Sequence, residues 1–235
     1  MVLGVLGTVT VLGVIVGAIA LVMRGGRGID WAPRSLVRVY LYIASLAGIV
    51  VLVVGLSGVL SAGFAAAFGD GFVYGDSSAI PVPSVAACPP TPEANVKCGP
   101  PVQQDFQQQR LRENARRRGD DLIRGITFTV FGALFWGAHW MARRGLLGVE
   151  EASGLRRGYL MLGTVVFGLT TVVLLPTGIY QALSYLILPA ENGVYRQGVG
   201  DSLGGGLVTL PVWLIYLWLV VRDVRATPAS VPTTV

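Results

Sequence analysis

A single histidine, His139, lies in the run Phe135-Trp136-Gly137-Ala138-His139-Trp140-Met141-Ala142-Arg143-Arg144, between two tryptophans and one turn before a pair of arginines. An imidazole in an apolar helix suits an axial ligand for haem or a light-absorbing pigment. It equally suits a side chain at the border of a bilayer, bonded to a headgroup or to a loop carbonyl. One histidine excludes a bis-histidine haem within the chain; a single-ligand pigment or a methionine–histidine haem stays open. The neighbours favour the border. Tryptophan and tyrosine gather at membrane–water interfaces, and Trp136, Trp140, Tyr40, Tyr159 and Trp218 all stand close to arginine in sequence.

The two cysteines, Cys88 and Cys98, bracket the segment C88-P-P-T-P-E-A-N-V-K-C98. In an oxidising compartment they form one disulfide. It would close an 11-residue loop and contribute roughly 2–3 kcal/mol in the chain-entropy account. A metal site or a haem attachment would need histidine nearby or a C-x-x-C-H run, and neither is present. Four carboxylates, Asp120, Asp121, Glu191 and Asp201, can gather at one rim of the molecule. They read as a general acid–base pair or, better, as a solvated rim with Asp near a helix N-terminus. Nothing matches the spacing of a serine, cysteine or metal hydrolase. No catalytic residue and no metal ligand is expected, and no cofactor beyond the minor alternative at His139; structural lipids are the expected companions.

The elements that hold these residues follow from the distribution of charge. Only 13% of residues are charged, against about 25% in soluble domains, and 53% are hydrophobic with a mean hydropathy of +0.64. Reading between charges isolates five apolar windows: 1–23, 39–69, 125–142, 158–190 and 202–221. A hydrocarbon core of about 30 Å needs about 20 apolar residues in a helix. The windows do not alternate as barrel strands do. They predict an all-α polytopic membrane protein with five transmembrane helices. The first window lacks a basic n-region and a cleavage site, so it reads as a retained helix rather than a signal peptide.

Charge also sets the orientation. Loops 24–38 and 143–157 and the tail 222–235 hold ten of the 18 basic residues, whereas loop 191–201 holds one, Arg196. The positive-inside rule then puts the N-terminus outside and the C-terminus in the cytoplasm. The long outer loop 70–124 carries seven basic and seven acidic residues, and long segments cross largely regardless of charge. The high isoelectric point thus reflects topology, and no nucleic-acid partner is implied. None of the 13 acids lies inside an apolar window. Pumps, proton-coupled carriers and cation channels bury ionisable groups at depth, so that absence argues against them.

The windows alternate long and short after the first. Leu36, Arg38, Tyr40 and Leu41 match Leu155, Arg157, Tyr159 and Leu160, and Gly119-Asp120-Asp121-Leu122 matches Gly200-Asp201-Ser202-Leu203. The chain therefore reads as one N-terminal helix plus two parallel copies of a two-helix unit. The first copy carries a long outer insertion. Its proline-rich half excludes helix and central strand. Its second half, 102–118, is Gln- and Arg-rich and predicts a polar helix that docks at the border or runs into the next span across Gly119. Small-xxx-small pairs, Gly13/Gly17, Ala44/Gly48, Gly58/Ala62, Gly63/Ala67 and Ala133/Gly137, predict close helix packing. The first helix stands outside the repeat and is expected to face a partner subunit. Pro176 and Pro211 predict kinks, with Thr170, Thr171 and Thr177 the polar company of the first.

The run R34-S-L-V-R-V-Y-L-Y42 and the helix end W136-G-A-H-W140 together resemble an uncharacterised bacterial multi-pass membrane domain family known from Chloroflexi-type bacteria. Its pattern is an Arg-led YLY start to one helix and an HW-plus-Arg end to its partner. The likeness spans roughly 31–145. In the second copy Tyr159-Leu160-Met161 replaces YLY, and the HW is lost. The resemblance implies the two-helix unit and no activity.

These readings converge on a non-catalytic accessory subunit of a larger complex in a bacterial inner membrane. It would meet other integral subunits through its first helix and the 70–124 loop, in a respiratory or photosynthetic electron-transfer assembly by analogy. The alternatives are a small transporter or lipid-binding protein with a site between the repeats near Pro176, and a pigment- or haem-binding protein through His139.

Overall fold

The computed structural model describes residues 33–75, 102–147, 154–188 and 198–225. The first apolar window with Gly13 and Gly17, the proline-rich stretch with Cys88 and Cys98, Glu191 and the tail from residue 226 lie outside the described residues. Every element among those described is helical: α1 Pro33–Phe68, α2 Asp70–Tyr74, α3 Val102–Leu147, α4 Gly154–Ile187 and α5 Gly200–Arg225. Four of them are long and apolar enough to cross a membrane, over Val37–Phe68, Leu111–Gly145, Leu155–Ile187 and Gly200–Arg225.

Local chemistry explains the limits of these helices. α1 opens on Pro33, whose missing N–H is no loss in a first turn. It stops at Gly69, with φ of 93°, a conformation that strains any residue carrying a Cβ. Gly75, with φ of 94°, ends α2 the same way. The five residues between fold back so that Phe72 and Val73 bury against Ala65 and Val199. Two backbone contacts pin this cap: Val199 N–H donates to Phe72 O at 3.0 Å, and the Ser61 hydroxyl donates to Gly200 O at 2.9 Å.

The polar segment before the third apolar window does not lie apart. It is the first part of α3, a single helix of 46 residues that passes through Gly119. One interior glycine costs a helix only about 1 kcal/mol. Ion pairs Glu113–Arg117 at 2.8 Å and Asp121–Arg124 at 3.0 Å support the helix on either side of it. Likewise α4 and α5 continue as helices with Pro176 and Pro211 inside them. Both prolines lie exposed on outer faces, where their rings displace no neighbouring helix.

α1 is the centre of the fold. It packs antiparallel to α3 on one side and meets the antiparallel pair α4–α5 on the other. Leu46, Ile49 and Val53 of α1 bury against Leu160 and Phe167 of α4 and Tyr216 of α5. α3 reaches α4 where Arg143 touches Tyr159, and no longer packing seam joins those two helices among the described residues. In consequence only 11% of the most apolar stretch of α3 is buried, against 33%, 28% and 28% for those of α1, α4 and α5.

Candidate functional site

Chemistry-bearing side chains collect at the two ends of the bundle. At the arginine-rich end, α1 and α3 bring the two halves of the sequence motif into contact. The His139 Nδ1–H donates to Phe135 O at 2.7 Å, one turn back on its own helix. Nε2 then accepts from the Tyr40 hydroxyl at 3.3 Å, and the rings of Tyr40 and His139 meet edge to face at 5.7 Å. Both imidazole nitrogens are therefore engaged within the protein. An axial bond to a pigment or haem through Nε2 would require Tyr40 to let go.

One turn further on, the Arg143 guanidinium lies 4.5 Å from the ring centre of Tyr42 on α1 and 5.2 Å from that of Tyr159 on α4. These are cation–π contacts, strengthened where water is scarce. Tyr159 passes the link on, its hydroxyl 2.6 Å from that of the buried Tyr216 on α5. Arg143, Tyr42, Tyr159 and Tyr216 thus tie all four long helices at one level. Arg144 stacks on Trp140 at 3.7 Å and Arg222 sits over Trp218 at 5.4 Å, so these two interface tryptophans each carry an arginine. Asp223 takes Arg157 at 3.3 Å and Arg156 at 3.8 Å, locking α4 to α5. Beside that lock a shallow groove of about 270 Å³ is lined by Leu160, Met161, Val220 and Val224.

The opposite end holds carboxylates. Asp121 and Asp201 approach Tyr74, and Asp70 joins them from α2. Burial first, then the Asp121 carboxylate, holds the Tyr74 phenol well above its ordinary range. Asp120 is exposed beside this group. Among the described residues no three His, Cys, Asp or Glu side chains converge as a metal site. One arginine, Arg124, partly balances the cluster through Asp121.

Between the ends the interior is closed by small residues and hydroxyls. A methyl added at Gly48 would come within 2.9 Å of Trp136 N, and one at Gly58 within 3.2 Å of Asp121 O. Ala44 and Ala62 are buried in the same helix. Gly63 and Gly137, in contrast, have nothing within 4 Å of an added methyl and face outward. Thr171, 3% exposed, donates to Phe167 O at 2.7 Å and meets Thr209 Oγ1 at 3.0 Å. Thr170 donates to Val166 O and Thr177 to Val173 O, each within its own helix. The threonines near Pro176 are thus engaged in packing rather than set around a polar chamber.

Several of these residues were not singled out by pattern alone. Arg143, Tyr42 and Tyr216 look like ordinary border residues, and their convergence depends on three separate helices. Asp70 and Tyr74 sit in a five-residue helix too short to announce itself. The pairing of Asp223 with Arg156 and Arg157 was hidden among tail charges. The one readable clue was the repeated Arg-x-x-Leu or Arg-x-Tyr start of each long helix. Compared with protein-family models, with curated proteins and with solved structures, the chain matches none.

Proposed function

We propose that this chain is a non-catalytic, accessory integral-membrane subunit of a larger membrane complex. The observation that carries the reading is the low burial of α3, which packs on α1 alone of the long helices and is 11% buried over its most apolar stretch. Its full length of 46 residues, at about 1.5 Å per residue, far exceeds the hydrocarbon core of about 30 Å. The part from Val102 to about Gly119 precedes the charge-free stretch 125–142 as a polar rod, and Arg112, Arg116, Arg117 and Arg118 on it are exposed. A helix that is polar all round and lacks neighbours is marginal alone, and gains stability beside a partner. A subunit that lines the flank of an assembly presents such a helix outward.

The finer reading keeps the N-terminus outside and the arginine-rich end cytoplasmic, in the inner membrane of a bacterium, with the first apolar window as a fifth span. Two parallel two-helix copies account for the pairing of α1 with α3 and of α4 with α5. The facing pairs Leu52–Gly132 and Thr171–Thr209 support that scheme. Aligned by their first helices, the copies then match Trp136 with Trp213, one helical turn away from the register of the Gly-Asp motifs. Membership of the multi-pass bacterial family that the motifs resemble gains support from Tyr40–His139 and Tyr42–Arg143. Those contacts make the Arg-led YLY start and the HW-Arg end two sides of one joint.

Placement in a respiratory or photosynthetic complex rests on analogy. The engagement of Thr171 and of both His139 nitrogens leaves the transporter and pigment readings with less support. The test is extraction of native membranes in mild detergent, a native gel, and mass spectrometry of the band that holds this chain. Migration several-fold above its own 24.8 kDa, together with other integral subunits, is the expected result. Migration alone or as a small homo-oligomer overturns the reading.

A further inference from the structure

We propose that Arg143 and its two tyrosines form a binding site for the phosphate headgroup of an anionic phospholipid. Arg143 is half-buried, and among the described residues it has no carboxylate partner. Its neighbours differ in this respect: Arg156 and Arg157 share Asp223, and Arg144 lies exposed on Trp140. The guanidinium lies over the rings of both Tyr42 and Tyr159. Five N–H donors lie in the plane of that group, in a geometry that matches a phosphate. A guanidinium fixed by two rings has already lost much of the freedom that binding would otherwise remove.

Position selects a lipid. Arg143 stands at the end of an apolar span, where a cation without a counter-charge is unfavourable in low dielectric. Tyr42, Tyr159 and Arg143 come from α1, α4 and α3, and this is the level at which α3 and α4 touch. Deeper along the same two helices, Trp136 and Leu162 are only partly buried against the central apolar cluster. A headgroup at Arg143 would let an acyl chain descend past these residues, along the side where α3 and α4 separate. The surrounding end is basic: Arg143, Arg144, Arg222 and Arg225 gather there, and among the described residues its acid is Asp223. Such an end attracts the anionic leaflet. This inference is read from the lipid held by one chain, so it can fail while the accessory-subunit reading stands, and the reverse.

The experiment purifies the full-length protein from native membranes in mild detergent and counts bound phospholipid by class with mass spectrometry. The wild type is expected to hold anionic phospholipid in preference to zwitterionic. The Arg143→Gln variant should lose at least about tenfold in retention, as befits a lost charged hydrogen bond. Arg143→Lys keeps the charge without the stacked plane and should fall between the two. Arg144→Gln should retain lipid as the wild type does. If Arg143→Gln does not fold, the ordering of Arg143→Lys below wild type and Arg144→Gln decides. Equal retention by the Arg143 variants and wild type, or no class preference, overturns the proposal. Delipidated protein is then titrated with inorganic phosphate. Binding as tight as that of an anionic phospholipid vesicle would assign the site to free phosphate and overturn the lipid.

Discussion

The two helix pairs share one geometry and reach it by different chemistry. Along α1–α3 the backbones touch. Gly55 meets Thr129, Gly132 meets Leu52, and a methyl on Gly125 would lie 2.7 Å from Val59 N. Among the described residues the one side-chain hydrogen bond across this seam is Tyr40–His139 at its rim. Along α4–α5 the backbones also touch, Gly178 against Leu203 and Gly206 against Leu175, and side chains fill the rest of the seam. Gly163 receives the Tyr216 ring, Gly168 receives Trp213, Thr171 bonds Thr209, and Tyr159 bonds Tyr216. Lipid tails are as apolar as leucine, so helices in a bilayer associate through contact and hydrogen bonds rather than through hydrophobic burial. The first pair relies on shape along its length, and the second adds specific polar links to close contact. The first pair is also the one whose outer helix is left largely bare.

The sharpest way to break this contrast is to overfill the backbone seam. Gly132→Leu or Gly55→Leu forces α3 away from α1, and overpacking of this kind costs typically about 1–3 kcal/mol, here at the upper end because backbone rather than a flexible side chain is the obstacle. Thermal unfolding in detergent should fall accordingly, while the same change at Gly137, which faces outward, should leave it within about 0.5 kcal/mol. A comparable loss at both positions would remove the seam from the account.

Smaller effects probe the second pair. Asp223→Asn removes the carboxylate that Arg156 and Arg157 share. Their side chains are 27% and 47% exposed, so solvent screens the loss to about 1 kcal/mol. Steeper sensitivity to salt in the wild type than in the variant would accompany it. Thr171→Val or Thr209→Val should cost about 0.6 kcal/mol, the average for a hydrogen bond between membrane helices. Because the two hydroxyls serve each other, a double-mutant cycle should show the losses to be less than additive.

The smallest effect concerns the carboxylate end and appears only with pH. The Tyr74 phenol is held above its ordinary value of 10.0. The unfolded chain therefore gives up this proton first. Its contribution is full below the ordinary value and is lost as the pH rises toward the folded one. Unfolding followed from neutral pH to above about pH 10 should show a steeper alkaline loss in the wild type than in Tyr74→Phe. Parallel profiles would show that Tyr74 is not held above its ordinary value.

The contrast also explains what the amino-acid sequence disclosed. The four described spans were legible from charge spacing, because a charge inside hydrocarbon is prohibitive and marks each boundary. The helical continuity of α3 was only half legible. Gly119 looks like a break, and the ion pairs on either side of it depend on the helix already being formed. Glycines were legible as a class but not by role: Gly48 and Gly58 meet α3, whereas Gly63 and Gly137 face outward with the same spacing. The arginine–tyrosine joint was least legible. Tyr42, Arg143 and Tyr159 lie on three helices, and no periodicity within one helix reports on another.

The most direct test of the account targets the bare face of α3. A photo-cross-linking residue replaces Phe131, which is 66% exposed on that face, in cells that carry the protein in its native membrane. A parallel variant replaces Val53, buried in the central cluster. Phe131 is expected to yield a discrete, heavier adduct containing a second integral-membrane protein, and Val53 to yield none. Adducts with lipid alone at Phe131 would contradict it and return α3 to the bilayer.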